Sequence, residues 1–531
     1  MSAFVKQLPF WHSMPAFGEE DSDTPRLIFL ASLIVTLTWL LITQFNDPLR
    51  KYPGPFIARY TNLWRLYQVT RGDSHLRWEA LHRKYGPVVR VGPNLLDLDH
   101  PSLVKTIYNN FDGKFIKNNF YRASSAIVNG KITYNIFSMK DPKEHARQRR
   151  PIDKFYTMKG ILSLEDHVND MVGKLCSEID SRFAKQGVVC DLGEWIGFYA
   201  WDVVGKVTFS QPFGYMQHGR DFDGTLAIAD KSIDYFSLVS QMPFLDHWLD
   251  KNPVMRVGPP GFGNITRISL EHLAARYKGT DGAYHDVARP DFLDRFIEAK
   301  GSDGDVVDDG QIISYLMINM IAGADTTAVA IRSLIYHVLK HPGAKAKLVS
   351  EIRSSLPSPD KASPIAFAAA KALPYLEAAV RESQRIFPSV GLTLERVVPA
   401  SGLALPGCDG ARVPGGVHVG INPYVVQRTP GSVWGAAPDA FDPGRWLRAP
   451  GESEDGHAAR LRAMNAADLS FGGGSRGCIG KNLALVELYK VVATLFARYD
   501  MELEDPQCEW EVVDSLFMRQ TGLRVKLTPA T

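Results

Sequence analysis

Cysteine is scarce in this chain of 531 residues, which contains only five: Cys176, Cys190, Cys408, Cys478 and Cys508. They are scattered and form no Cys-x-x-Cys pair, so the sequence supports neither a zinc ribbon nor a disulfide scaffold. A large chain with so few cysteines is typical of a reducing compartment. A cysteine in a distinctive setting is therefore a candidate for chemistry rather than for packing.

An excess of charge of either sign is also lacking. The chain has 60 Lys and Arg residues against 58 Asp and Glu residues, a net charge of +2, so it has no electrostatic footprint for nucleic acid. Gly (44) and Pro (33) are too few for a collagen-like or linker-dominated chain. The composition, 45% apolar and 22% charged, fits a globular protein with a large core and excludes a disordered one.

One uncharged hydrophobic run, residues 27–45, lies near the N-terminus. As a helix it would be about 28 Å long, enough to span the apolar core of a bilayer. We predict a polar tail at 1–26, a transmembrane anchor at 27–45 and a proline-rich hinge at 46–55. A cleaved signal peptide is the alternative, but no small-x-small cleavage site follows the run. A buried core helix is a third possibility, although such helices usually carry a polar stripe.

Basic residues around this run predict its orientation. Arg26 precedes the run, whereas three basic residues follow it, Arg50, Lys51 and Arg59. Because Lys and Arg are enriched on the cytosolic side of a membrane span, we expect the body of the protein to face the cytosol. Pro53 and Pro55 restrict the backbone after the run and forbid continuation of a helix.

The body, residues 56–531, is predicted to be one mainly α domain with a small β portion. Helical periodicity dominates from 140 to 390. A short hairpin is expected from 88–91 and 95–98, which flank a Gly-Pro-Asn turn signal. The Gly- and Pro-rich segment 399–460 is expected to hold short strands and a meandering loop.

Three helical segments stand out in this body. Residues 61–85 are typical of a helical stretch. A longer helix is predicted from about Asp308 to Lys340; it is apolar on several faces and should thread the interior. Another helix is predicted to begin at Pro374, a favourable first-turn residue, and to end before Pro388.

The clearest candidate for chemistry is the loop 471–480, which reads Phe-Gly-Gly-Gly-Ser-Arg-Gly-Cys-Ile-Gly. A thiolate that ligates iron needs a loop that aims the sulfur outward and turns backbone N–H groups towards it. The five glycines permit such a tight path. A helix predicted to begin near Asn482 would place its N-terminal dipole near the sulfur of Cys478 and favour the thiolate. Arg476 is positioned to pair with a haem propionate.

This loop resembles the F-x-x-G-x-R-x-C-x-G signature of the cytochrome P450 haem-thiolate monooxygenases, through Phe471, Gly474, Arg476, Cys478 and Gly480. Five such positions match by chance in roughly one chain in ten thousand. The alternative is a glycine-rich loop around an inert buried cysteine. The resemblance implies a single cytochrome P450 fold, haem b (iron protoporphyrin IX) as cofactor, Cys478 as the axial ligand of the iron, and the other four residues in the haem site. The remaining cysteines lack this context and are expected to be packing residues.

Residues 322–327, Ala-Gly-Ala-Asp-Thr-Thr, lie at the centre of the long predicted helix. Burying an acid and two alcohols there is costly unless they have partners. The segment resembles the family's oxygen-activation motif, which implies that Thr326 hydrogen-bonds the dioxygen and that Asp325 relays protons. The alternative is that the hydroxyls only bond back to carbonyls one turn earlier.

Glu382 and Arg385 are three residues apart on the helix that begins at Pro374, so they share one face. A surface salt bridge would be the default for such a pair. The family combines this motif with an arginine of an F-x-P-x-R-W segment, present here at 441–446 with glycine in place of the frequent glutamate. The resemblance implies a structural triad of Glu382, Arg385 and Arg445 that supports the cysteine loop.

Three further residues are predicted to contact the haem propionates. His145 and Arg149 are four apart on a predicted helix and therefore share a face. The family often has tryptophan at the first of these positions, and histidine keeps a donor there. A solvated basic helix face is the alternative for His145. Arg396 follows the Glu382 motif at the family's spacing for another propionate partner.

The resemblance covers the chain from about Pro53 to its end, and residues 56–121 look most like the fungal pisatin demethylase-like branch. It implies a monooxygenase that inserts one oxygen atom from O2 into a hydrophobic small molecule, in fungal secondary-metabolite biosynthesis. Because no glycine-rich dinucleotide signature is found, electrons are expected from NADPH through a separate reductase on the same membrane. We expect a single-pass protein of the endoplasmic reticulum membrane.

Four apolar segments are expected to contact the substrate: 124–136, 317–321, 389–393 and 516–518. Their character indicates a hydrophobic ligand. A haem-thiolate isomerase, dehydratase or peroxygenase is the alternative function, although such relatives often lose the acid–alcohol pair that is present here as Asp325 and Thr326. A non-catalytic haem sensor is the third alternative.

Overall fold

The computed structural model describes residues 24–45, 47–108, 114–128, 131–252, 254–258, 263–355, 363–407, 412–431 and 433–530. Most of the predicted polar tail, residue 46 of the predicted hinge, and Cys408 lie outside the described residues. The chain divides into two compact units, Met1–Lys51 and Tyr52–Thr531, and each is described by itself.

In the first unit, the hydrophobic run forms a single helix of 22 residues, α1 (Thr24–Phe45). The large apolar side chains that the structure describes on it are exposed: Leu27, Ile28, Phe29, Leu30, Leu33, Ile34 and Val35. The helix is therefore present where the apolar run predicts it, and its insertion in a membrane stays a prediction.

The second unit is mainly helical. Its described residues form α2 (Leu63–Thr70), α3 (Ser74–Tyr85), α4 (Pro101–Tyr108), α5 (Pro142–Asp153), α6 (Met158–Leu162), α7 (Glu165–Arg182), α8 (Leu192–Phe209), α9 (Tyr215–His218), α10 (Thr225–Val239), α11 (Phe244–Leu249), α12 (Gly263–Lys278), α13 (Phe292–Ser302), α14 (Asp309–Lys340), α15 (Pro342–Ser355), α16 (Phe367–Lys371), α17 (Pro374–Ile386), α18 (Pro423–Val426), α19 (Glu454–Ala467) and α20 (Lys481–Arg498).

The strands of this unit are short. They are β1 (Val88–Gly92), β2 (Leu95–Leu98), β3 (Ile116–Lys117), β4 (Ala126–Val128), β5 (Lys131–Thr133), β6 (Cys190–Asp191), β7 (Arg396–Val397), β8 (Leu403–Ala404), β9 (Arg412–Val413), β10 (His418–Gly420), β11 (Tyr499–Leu503), β12 (Glu511–Ser515), β13 (Phe517–Thr521) and β14 (Arg524–Pro529). The largest sheet has the order β1-β2-β10-β7-β3, and a smaller one has the order β11-β14-β6.

The register of the largest sheet brings distant residues together. β1 and β2 form the predicted antiparallel hairpin, with Val88 opposite Leu98. β10 runs parallel to β2, and β7 pairs antiparallel with both β10 and β3. In the last pair, Lys117 lies opposite Arg396, so two basic residues from distant parts of the sequence become neighbours.

Helix α14 passes through the core of the domain, as its apolar faces predict. The carboxylate of Asp308 caps it by accepting a hydrogen bond from the backbone N–H of Gln311 (2.7 Å). Within the described residues, α14 is the one helix whose length and composition would let it cross a membrane. Because 44% of its most apolar stretch is buried inside the domain, the interior accounts for much of this apolar character.

The predicted fold class, mainly α with a small β portion, is confirmed, but two predicted elements are wrong. Residues 61–85 form two helices, because the chain turns between them at Gly72, which has a left-handed φ of +73°. The segment 399–460 contains the start of α19, where the Ser453 hydroxyl accepts from the N–H of Gly456 (3.1 Å). Most of α19 is exposed, so it has little apolar periodicity to reveal it.

Candidate active site

The cysteine loop turns back on itself before α20. Gly472 and Gly474 have left-handed φ angles of +67° and +59°, which residues with a Cβ rarely adopt. The backbone N–H of Cys478 donates to the carbonyl of Phe471 (2.9 Å) and closes the loop. Two of the five glycines therefore supply the conformational freedom that the sequence predicts for this path.

Neighbouring groups shift the pKa of the Cys478 thiol in both directions. Cys478 is exposed, but desolvation by the protein around it raises the pKa of its thiol overall. The backbone N–H groups of Gly480 and Lys481 and the guanidinium of Arg149 lower it. The N–H groups of Gly480 and Lys481 lie at the N-terminal end of α20 and, with Arg149 on α5, stabilise a negative sulfur, which is the form that binds iron. Lys481 Nζ also lies 5.4 Å from the ring centre of Phe471.

Arg149, on α5, forms hydrogen bonds with the backbone of the cysteine loop. Its Nη1 donates to the carbonyls of Gly477 (2.9 Å) and Ser475 (3.2 Å). Its Nε lies 2.8 Å from a carboxylate oxygen of Asp153. The side chain thus lies beside the loop that carries Cys478, and its contact with a propionate stays a prediction.

A cluster of basic side chains lies near the loop: Lys117, His145, Arg149, Arg396 and Arg476. Burial lowers the pKa of Lys117 well below its ordinary value, and the charges of Arg396 and Arg476 lower it further. Burial and three of these charges lower the pKa of His145 to about 3. Burial and the charge of Arg396 lower the pKa of Arg476 to about 10. His145 is therefore an uncharged donor near neutral pH, whereas the arginines of the cluster concentrate positive charge in a poorly solvated place.

Three members of this cluster have uncharged hydrogen-bond acceptors among the described residues. Lys117, Arg396 and Arg476 donate, respectively, to uncharged acceptors: the carbonyl of Phe137 (2.6 Å), the hydroxyl of Tyr121 (2.9 Å) and the carbonyl of Met139 (2.6 Å). Among the residues that the structure describes, no carboxylate forms an ion pair with any of the three. Buried charges of one sign need a counter-charge. The two propionates of haem would supply it, so this donor set fits the cofactor.

Replacing Lys117 with methionine is expected to have opposite effects on the haem-free and haem-bound protein. The haem-free protein should become more stable to heat, because an amine whose burial is unfavourable is replaced by an apolar side chain. Haem should be lost about tenfold faster, because a charge-assisted hydrogen bond to a propionate is removed. Thermal unfolding and the rate of haem transfer to an excess of a scavenging protein measure the two effects.

The matched control is Lys131→Met, which removes an exposed lysine on β5. It should change neither quantity. A Lys117→Met protein that is less stable without haem and loses haem at the normal rate would remove Lys117 from the haem site.

The acid and the alcohol of the predicted oxygen-activation motif lie in the middle of α14. The Thr326 hydroxyl donates to the carbonyl of Ala322 (2.8 Å), the local bond that the alternative interpretation describes. Asp325 Oδ1 accepts from the indole N–H of Trp201 (3.0 Å) on α8. Burial and the charge of Asp230 raise the pKa of Asp325 to about 6. A carboxyl group of this acidity can both take up and release protons near neutral pH.

Glu382 is the centre of a buried ion-pair cluster. Its two oxygens accept from Nε and Nη2 of Arg385, each at 2.8 Å, and Nε of Arg445 lies 3.3 Å from Oε1. Burial raises the pKa of Glu382, but the hydrogen bonds and charge of Arg385, with the charge of Arg445, lower it overall. The structure thus brings the three residues of the predicted triad into contact.

This cluster is linked to the segment that precedes the cysteine loop. Arg385 donates to three backbone carbonyls, those of Gln427 (2.6 Å), Pro438 (2.7 Å) and Ala440 (3.0 Å). The side-chain oxygen of Gln427 accepts from the backbone N–H of Leu469 (2.9 Å), two residues before the loop. The cluster therefore orders residues 427–446, the meander that precedes the cysteine loop.

Two of the four predicted substrate segments meet. The backbone N–H of Gly391 donates to the carbonyl of Leu516 (3.0 Å), and that of Met518 donates to the carbonyl of Ser389 (3.1 Å). Leu516 has a φ of +76°, which is uncommon for a residue with a side chain. Residues from both segments join a buried apolar cluster that includes Phe120, Tyr121, Phe236, Leu392, Leu516 and Phe517.

The other cysteines differ in burial. Cys176 and Cys190 are buried, as expected of packing residues. Cys508 is exposed, so the expectation that it packs in the interior is wrong. It lies in the segment between β11 and β12.

A thiolate loop, an acid–alcohol pair within a core helix, and a cationic cluster that fits two propionates together define a haem-thiolate enzyme. The sequence profile of the family described as Cytochrome P450 matches residues 53–527, and the chain belongs to that family. It is similar to Cytochrome P450 monooxygenase cfoH of Aspergillus candidus, at 41% identity over 95% of this chain and 93% of that protein.

Two further fungal proteins are similar at lower identity. Cytochrome P450 monooxygenase cicH of Emericella nidulans is 34% identical over 94% of this chain and 97% of its own. Cytochrome P450 monooxygenase vrtE of Penicillium aethiopicum is 34% identical over 94% of this chain and 93% of its own. The predicted family and enzyme class are thereby confirmed: the protein is an oxidoreductase of the kind that uses haem, O2, a redox partner and a small-molecule substrate. The pisatin demethylase-like branch stays a prediction.

The sequence analysis assigns no role to three side chains at the site. Lys117 belongs to a two-residue strand, so neither a period nor a motif marks it. Trp201 lies in a long buried stretch of α8 and is typical of a core residue. Trp446 belongs to the F-x-P-x-R-W segment, but the hydrogen bond from its indole N–H to Glu382 (2.9 Å) depends on where the segment folds.

Proposed function

We propose that this protein is a membrane-anchored monooxygenase of fungal secondary-metabolite biosynthesis that inserts one oxygen atom into a hydrophobic small molecule. In the balanced reaction, one atom of O2 enters the substrate, the other leaves as water, and two electrons and two protons are consumed. Bound haem would supply the activation of O2. The observation that carries the proposal is the position of Asp325 next to Thr326 in the middle of α14, where the indole N–H of Trp201 donates to its carboxyl group (3.0 Å) and its pKa is raised to about 6.

The chain's own groups have separate tasks in this proposal. The thiolate of Cys478 would ligate the iron and donate electron density to it. Asp325 and Thr326 would hold and pass protons where O2 is reduced. The basic cluster of Lys117, His145, Arg149, Arg396 and Arg476 would bind the propionates and fix the orientation of the ring.

A hydrophobic substrate is supported by the side chains around the meeting point of the 389–393 and 516–518 segments. The apolar cluster there contains several aromatic rings, and Phe120 lies edge-to-face against Phe236 at 5.5 Å between ring centres. Apolar and aromatic side chains of this kind predominate in sites that bind apolar small molecules. The fungal origin of the similar monooxygenases supports a role in fungal secondary metabolism.

Electrons are proposed to come from NADPH through a separate NADPH-cytochrome P450 reductase. Support comes from the family, whose monooxygenases use a redox partner. The test is product formation with NADPH and a fungal reductase compared with product formation with hydrogen peroxide alone. Turnover with peroxide but not with NADPH and reductase would overturn the proposal in favour of a peroxygenase.

Thr326→Ala is expected to uncouple NADPH consumption from product formation. Loss of the hydroxyl removes a proton donor, so product per NADPH should fall roughly tenfold or more, while release of hydrogen peroxide rises. Thr326→Ser keeps the hydroxyl and should remain near the unsubstituted protein. Product, NADPH and peroxide are measured in the same reaction. Unchanged coupling in Thr326→Ala would exclude Thr326 from the relay.

We also propose that α1 anchors the protein in the endoplasmic reticulum membrane, in a single pass, with the catalytic domain in the cytosol. Support comes from the exposed apolar side chains of α1 and from the three basic residues that follow it, Arg50, Lys51 and Arg59. An exposed apolar surface of this size is unfavourable in water. The excess of basic residues after the helix favours a cytosolic domain.

Deletion of residues 1–45 is expected to move most of the protein from the membrane fraction to the soluble fraction. The deletion removes the 19 uncharged residues whose burial in lipid would hold the chain there. Deletion of residues 1–23 keeps α1 and should leave the protein in membranes. Fractionation after expression in yeast measures both. Equal partitioning of the two truncated chains would contradict the anchor.

A further inference from the structure

The carboxyl group of Asp325 is held by a side chain from another helix. The indole Nε1 of Trp201, on α8, donates to Asp325 Oδ1 at 3.0 Å. In the part of the chain that the structure describes, the second oxygen, Oδ2, receives no hydrogen bond. The arrangement thus fixes one oxygen of the carboxyl group and leaves the other available.

Trp201 is suited to this task because its ring cannot easily turn. Its side chain is 2% exposed and packs against Phe213 (6.2 Å between ring centres) and edge-to-face against Tyr215 (6.3 Å). The indole N–H is only a donor and does not titrate. Trp201 therefore remains the donor, and Asp325 the acceptor, at every pH at which the protein is folded.

The charged groups that face Asp325 have other partners. Arg332, two turns later on α14, donates from Nε to the carbonyl of Gly193 (2.7 Å). Arg519, on β13, pairs with two carboxylates of α10, Asp230 (2.6 Å) and Asp234. The charge of Asp230 raises the pKa of Asp325, and the charges of both arginines lower it. Among the described side chains, the hydrogen bond to Asp325 comes from Trp201.

We propose that Trp201 is a positioning residue of the oxygen-activation site, which holds Oδ1 of Asp325 against α8 so that Oδ2 is oriented for proton exchange. The inference rests on the proposed function, in which Asp325 relays protons. Without the indole donor, the carboxyl group can rotate about its broad terminal torsion. Its ionised form also loses a hydrogen bond, which raises its pKa.

The test is Trp201→Phe, which keeps an aromatic ring and removes the N–H. We expect product per NADPH to fall about tenfold, in line with the loss of one hydrogen bond to a charged group. The limb of the pH–rate profile that reports ionisation of Asp325 should move to higher pH by about one unit. In the unsubstituted protein the indole hydrogen bond stabilises the ionised carboxylate, so its removal raises the pKa. Only variants with the normal spectrum of the reduced carbon monoxide complex are compared.

Trp195→Phe is the matched control for lost volume. Trp195 lies on the same helix and is also buried, but it packs against Phe183 and Phe198 rather than Asp325. It should leave the coupling and the pH profile unchanged. Equal losses of coupling in Trp195→Phe and Trp201→Phe would assign the effect to packing and overturn the proposal.

Asp325→Asn separates failure of this inference from failure of the proposed function. If Asp325 relays protons, Asp325→Asn lowers the coupling and removes the limb, and adding Trp201→Phe changes the coupling less than twofold. If Asp325→Asn leaves the coupling unchanged, the proposed role of Asp325 is wrong. If Asp325→Asn lowers the coupling but Trp201→Phe does not, or if Trp201→Phe acts equally in both backgrounds, the role of Trp201 is wrong.

Discussion

Replacing Cys478 with serine is expected to abolish both the monooxygenase activity and the red-shifted Soret band of the reduced carbon monoxide complex. A serine hydroxyl stays protonated near neutral pH and is a poor ligand of iron, whereas the N–H groups of Gly480 and Lys481 favour a thiolate. Loss of the electron density that sulfur donates should reduce turnover about a thousandfold or more, equivalent to about 4 kcal/mol of activation free energy.

The control is Cys508→Ser, which alters an exposed cysteine away from the loop. It should keep the band and the activity. Absorption spectra of the reduced protein with and without carbon monoxide test both variants. Retention of the red-shifted band by Cys478→Ser would refute the assignment of the ligand.

Replacing Glu382 with alanine is expected to destabilise the protein by about 3–5 kcal/mol, the cost of breaking a buried ion pair by removing one partner. Arg385 would keep its charge in the interior without a carboxylate. The indole N–H of Trp446 and the backbone N–H of Asp442 would also lose their acceptor (both 2.9 Å from Glu382). Because these groups order the meander below the cysteine loop, the yield of haem-loaded protein should fall as well.

The control for this experiment is Glu271→Ala on α12. Glu271 pairs with Arg267 at 2.6 Å, but both side chains are more than half exposed, so the pair contributes little to stability. Urea unfolding of the two purified variants measures the difference. A loss below about 1 kcal/mol for Glu382→Ala would mean that the triad does not stabilise the fold.

Predictions from the sequence were most successful where the relevant atoms are neighbours along the chain. The cysteine loop spans ten residues, and its closure by Cys478 on Phe471 follows from local backbone freedom at glycine. The shared face of Glu382 and Arg385 follows from helix geometry alone. That this pair is buried and not on the surface depends on the meander packed over it, which local spacing cannot predict.

Errors occurred where a local signal is weak or is overridden. The turn at Gly72 divides residues 61–85 into two helices, because its left-handed φ interrupts the helical path between Thr70 and Ser74. The exposed α19 has few buried side chains and so lacks the pattern by which helices are recognised. The exposure of Cys508 cannot be predicted from the sequence, because residue identity does not determine whether a cysteine is buried.

The sequence by itself determined the family, the core helix α14, the cysteine loop and the acid–alcohol pair, since each depends on residue type and spacing within one element. Only the tertiary structure placed Lys117 opposite Arg396 and brought Trp201, 124 positions away, to Asp325. The physical reason is that such contacts form when whole helices and strands pack, and short-range periodicity carries no information about which distant elements will meet.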